Sequence, residues 1–93
     1  MRNAHVPLQE RVTLSNALAE VAIVLAVGSG KSPIPIVQQA DTIGRVLARS
    51  NFVQETLNRS VSEADIPDIE RRLCQWSHRI LLDWRGMTRQ KKH

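Results

Sequence analysis

A single cysteine, Cys74, leaves this 93-residue chain without an internal disulfide and excludes the stapled architecture of small secreted domains. It also denies the three histidines, at positions 5, 78 and 93, a thiolate at metal-ligand spacing, so no metal site is expected. Long apolar runs are missing too. Ala17 to Val27 is the most apolar stretch, and its 11 residues with Glu20 inside fall short of the ~20 needed to cross a bilayer. Glu10, Arg11 and Glu20 interrupt any signal-peptide core in the first thirty residues. These absences point to a soluble, cytoplasmic protein with no membrane association. No arrangement of serine, threonine, histidine and acidic residues reads as a catalytic triad, so neither enzymatic activity nor a cofactor is expected.

Cys74 has a chemical alternative. Arg71 and His78 flank it at helical spacing, and positive neighbours lower a thiol pKa. Its place at the border of an apolar stripe argues instead for a small, partly buried filler.

What is present describes a folded helical chain. Hydrophobic residues are 42% and charged residues 24%, too apolar for wholesale disorder. The net charge of +4 and a pI near 10.2 mildly favour acidic partners. Three segments carry a helical period, which predicts an all-α single domain over 1–93: a small bundle of three main helices at about 8–27, 33–50 and 66–86. A mobile arm at 1–6 and a basic tail at 87–93 complete the expectation.

The last helix is the longest periodic segment. Ile66, Ile69, Leu73, Trp76, Ile80, Trp84 and Met87 recur three or four apart and form one apolar stripe. Opposite it lie Arg71, Gln75, His78, Leu82, Arg85 and Arg89. Ser62 or Asp65 supplies its cap, and Pro67 fits only in the first turn. Acids lead and bases follow: Glu63, Asp65, Asp68 and Glu70 come first, while Arg71 to His93 holds seven Lys/Arg against Asp83 alone. That order suits the helix dipole. Gly86 weakens the interior by about 1 kcal/mol relative to alanine, which predicts fraying there.

The first helix is apolar on more than one side. Leu8, Val12, Ser15, Leu18, Ala19, Ala22, Leu25 and Ala26 give the expected core stripe, and Leu14, Ala17, Val21 and Val24 make a second apolar line. Either another molecule covers that second line or the first helix sits at the centre of the bundle. Gly28-Ser-Gly-Lys-Ser then ends the pattern. It matches the tail of a phosphate-binding loop at Gly30, Lys31 and Ser32, but Leu25 stands where the leading glycine is required, and no strand precedes it. Gly28 and Gly30 are read as a helix terminator, and Ser32-Pro33 as the start of the next helix.

In the second helix Ile36, Ala40, Ile43, Val46 and Leu47 face one way. A straight continuation would turn Phe52 into water. A break at Ser50-Asn51, with Asn51 and Gln54 as a capping pair, and a short extra helix at about 51–58 would return it to the core.

Two functional readings follow. In the first, the chain is a protein-interaction module, an adaptor, chaperone-like protein, regulator or inhibitor, working as a homodimer that docks a protein partner of acidic character. Leu14, Val21, Val24 and Leu82 are its candidate interface residues. In the second, it is a nucleic-acid-binding regulator, with Arg71, Arg79, Arg85, Arg89, Lys91 and Lys92 as candidate phosphate contacts. No aromatic lies in that basic row to stack on bases. Ala40 and Gly44 stand four apart, as in some helix-turn-helix proteins, but a turn at Gly44 would cut through the apolar stripe.

Overall fold

The computed structural model describes residues 7–28 and 35–91, with side chains as far as Gly86. The expected mobile arm, the segment from residue 29 to residue 34 with the expected start of the second helix at Ser32-Pro33, and residues 92–93 of the basic tail lie outside the described residues. The fold is all-α. It comprises α1 (Leu8–Gly28), α2 (Ile36–Ala48), the short α3 (Phe52–Leu57) and α4 (Ile66–Lys91), with a 3-10 turn, Glu63–Asp65, leading into α4.

At the start of α4, Ser62 adopts an extended backbone and its Oγ accepts the Ala64 N–H at 3.1 Å. That cap orders the 3-10 turn, and the helix proper begins at Ile66 with Pro67 in its first turn, where a missing N–H costs nothing. From there α4 runs for 26 residues, about 39 Å at 1.5 Å per residue. It does not stop at Gly86, as the sequence suggested, but continues to Lys91. A lone glycine removes about 1 kcal/mol of helix propensity and leaves its backbone hydrogen bonds intact, so the helix tolerates it.

The second helix starts at Ile36, later than expected, and Pro35 before it is extended (φ −56°, ψ 143°). It ends at Ala48. The break before α3 is made by Ser50 rather than by a cap from Asn51, whose side chain makes no capping hydrogen bond. Ser50 Oγ donates to the Leu47 carbonyl at 3.0 Å and accepts the Phe52 N–H at 3.1 Å. The turn it closes brings Phe52 back against the core. At the other end of α3, Asn58 takes the left-handed conformation (φ 58°), and the Arg59 N–H bonds the Gln54 carbonyl. Asparagine is among the few non-glycine residues that adopt this conformation readily.

The centre of the bundle is α4, not α1. Ile69, Leu73, Ser77 and Leu81 of α4 are fully buried, and both α1 and α2 pack on it while touching each other only slightly. The α2 helix crosses antiparallel, with Arg49 reaching Glu70 at 2.6 Å and Gly44 lying over Cys74. A Cβ placed on Gly44 would sit 2.3 Å from Cys74 Sγ and 2.7 and 2.9 Å from its backbone N and Cα. Ala40, Gly44 and Ala48, all buried, form a row of small residues along this contact. It lets two backbones approach closer than larger side chains would permit.

On the other side of α4, α1 presents Leu14, Leu18, Ala22 and Ala26, spaced four apart. A clamp fixes its near end: Arg59 Nε and Nη2 donate to the two carboxylate oxygens of Glu10, each at 2.7 Å. Such a forked pair restrains rotation as well as distance. The hydrogen bonds from Arg59 hold the Glu10 carboxyl below the ordinary range, against a smaller opposing effect of burial.

Candidate interaction surfaces

The four residues expected at an interface do not share a surface. Leu14 is 1% exposed and belongs to the core, which corrects its assignment to the outward line. Val21 is half-buried, whereas Val24 (66%) and Leu82 (50%) are exposed on different helices. The physical reason lies in the polar residues of α1. Gln9, Thr13, Asn16 and Glu20 recur at helical spacing and all face solvent. The side opposite them, Leu14 to Ala22, is therefore the one turned inward. Part of the stripe expected in the core is outside: Val12 and Ala19 are turned away by this phase, and Leu8 and Leu25, toward the two ends of the helix, are exposed.

The apolar surplus of α1 is thus real but placed differently. Val24, Leu25 and Val27 crowd the last turns of the helix, and Leu8 and Val12 stand at its beginning. Leu8 and Val12 line an open groove between α1 and α4 together with Arg11, Arg72 and Trp76. This groove was not legible in the sequence, because the phase of α1 decides which residues border it. On α2, Val37 and Val46 are exposed singly, as scattered apolar residues commonly are.

Of the candidate phosphate contacts, Arg71, Arg79 and Arg85 are exposed on α4. Arg71 donates to Asp68 Oδ1 at 2.7 Å, and the same carboxylate accepts from Arg72 Nε at 3.0 Å. Burial pushes the Asp68 carboxyl up, but the two arginines outweigh it and hold the group below its ordinary range. Arg89 and Lys91 lie on the last turns of α4, while their side chains, and Lys92 entirely, fall outside the described residues.

Cys74 is not poised for nucleophilic chemistry. Burial raises its thiol pKa, and the nearby carboxylates of Asp41 and Glu70 push it further up, with Arg45 opposing. The carboxylates that act on it are Asp41, across the helix contact, and Glu70, one turn earlier on its own helix, whereas the sequence pattern had pointed to basic neighbours. The Sγ–H donates weakly to the Asp41 carbonyl at 3.7 Å. Among the described residues no three of His, Cys, Asp and Glu gather as a metal site, and no helix is long and apolar enough to cross a membrane. No known protein family, curated protein or solved structure matches this chain.

Proposed function

We propose that this chain is a small, non-enzymatic helical protein-interaction module that self-associates through the C-terminal half of α1. The observation that carries the reading is the exposure of Val24, Leu25 and Val27 in a helix whose stretch from Val12 to Gly28 holds one charge, Glu20. An apolar helix end of this kind is costly in water and favours burial against a second copy. Sedimentation of the intact chain should return twice the 10.5 kDa monomer mass. Val24→Glu should return the monomer mass with the helical circular dichroism unchanged, because Val24 takes no part in the core. A wild-type chain that sediments as a monomer at tens of micromolar, as an order of magnitude for weak dimers, removes the proposal.

A second reading, nucleic-acid binding along α4, is supported by the exposure of Arg71, Arg79 and Arg85 and by the ion pairs that occupy Asp68 and Glu70. It is the weaker of the two, since Arg71 is itself engaged by Asp68. Binding of duplex DNA or RNA that drops steeply with salt and weakens with Arg79→Ala would favour it; no binding at low salt would eliminate it.

A further inference from the structure

We infer that the groove between α1 and α4 receives an acidic amphipathic segment of a partner protein, one apolar side chain seating among Leu8, Val12 and Trp76 and a carboxylate meeting Arg11. This rests on the reading of the chain as an interaction module, but not on its self-association, which is placed at the other end of α1. Leu8, Val12 and Trp76 give the groove its apolar surface, and among the described residues that line it the charged ones are Arg11 and Arg72, with no acidic residue. Arg72 commits its Nε to Asp68, a carboxylate that already serves Arg71, so the positive charge around the groove is not balanced from within.

Arg11 supplies the independent observation. Its Nε is shut off from solvent and reaches no acceptor among the described residues. Its neighbour in sequence, Glu10, is turned away and held by both nitrogens of the Arg59 fork. A donor stripped of water without a partner carries a cost of about 1–3 kcal/mol, more for a charged group, and a guanidinium that turns toward an incoming carboxylate would be relieved of it. Guanidinium and carboxylate meet as a fork, which fixes orientation as well as charge. Trp76, half-buried beside Arg72, offers the broad apolar wall that anchors one inserted side chain. A helical ligand matches an open groove bordered by two helices, and its acidic flank matches the charge.

The test uses the full chain and a displayed library of helical peptides that share an apolar stripe and vary in the charge of the flanking positions. Selected peptides should carry Asp or Glu beside the stripe, and their binding should be seen in tryptophan fluorescence. Arg11→Met should weaken it by about tenfold or more, the loss of one charge-assisted hydrogen bond. Leu8→Ser should weaken it as well, and since Leu8 is 67% exposed this variant keeps its fold if Arg11→Met does not. Selection of basic or neutral flanks, no enriched binders, or binding that survives both changes overturns the inference. A fall in sedimented mass caused by Arg11→Met in the chain alone also overturns it, by making a second copy the occupant. Val24→Glu separates the two proposals, because it should dissolve the dimer and leave peptide binding in place.

Discussion

Gly44→Ala should destabilise the fold by about 2 kcal/mol, although the same change at an open helical position stabilises by about 1 kcal/mol. The difference is what the new methyl group meets. At Gly44 it would lie 2.7 and 2.9 Å from the backbone N and Cα of Cys74, and no rotamer change moves a backbone atom aside. The helices would have to separate along the whole row from Ala40 to Ala48, loosening Ile43 and Leu47 against α4. Gly86 is the internal control. Nothing stands within 4 Å of its would-be Cβ, so Gly86→Ala should gain up to about 1 kcal/mol through propensity alone.

Urea unfolding of both variants at one fixed protein concentration measures the two signs side by side, the fixed concentration being required if the chain dimerises. For a domain of this size each kcal/mol moves the Tm by roughly 4–8 °C. A companion variant sharpens the point. Cys74→Ala removes the Sγ at 2.3 Å but leaves both backbone atoms, so the double variant should recover only part of the loss. A Gly44→Ala chain as stable as the parent would mean that α2 and α4 do not cross this closely.

This crossing shows where the sequence could be read and where it could not. The stripe from Ile66 to Trp84 was legible because its period is regular and polar residues line the other side, and α4 accordingly forms the centre of the bundle. The turn before Phe52 was legible because a large aromatic side chain would otherwise face water, although Ser50 and not Asn51 closes it. The spacing of Ala40 and Gly44 was visible too, but two small residues four apart fit both a helix-turn-helix and a close helix contact. Ala48 one turn further, with Cys74 opposite, decides for the contact, and only the tertiary fold brings Cys74 there. The groove beside Arg11 was hidden for a similar reason. Its residues come from positions 8 to 16 and 72 to 76, and they meet only through the packing of α1 on α4.

Leu14→Ala should cost about 3 kcal/mol, within the 2–5 kcal/mol typical of a buried leucine cut to alanine, whereas Leu8→Ala should change stability by well under 1 kcal/mol. The two residues lie on one helix and have the same side chain, but Leu14 is 1% exposed and Leu8 is 67% exposed. The contrast measures the rotational setting of α1, the feature that its apolar character leaves least determined. A helix greasy all round can satisfy its core with more than one face, and the apolar residues alone do not choose. The choice falls to the polar line Gln9, Thr13, Asn16, Glu20, which must stay in water, and to the Glu10–Arg59 pair, which favours the same rotation. Everything outside follows from that setting: with Leu14 inward, Val24 and Val27 are left exposed, where the proposed second copy would dock, and Leu8 and Val12 border the groove with Trp76. Equal costs at positions 14 and 8, measured in the same unfolding series, would show that α1 is turned otherwise, and both binding surfaces would have to be redrawn.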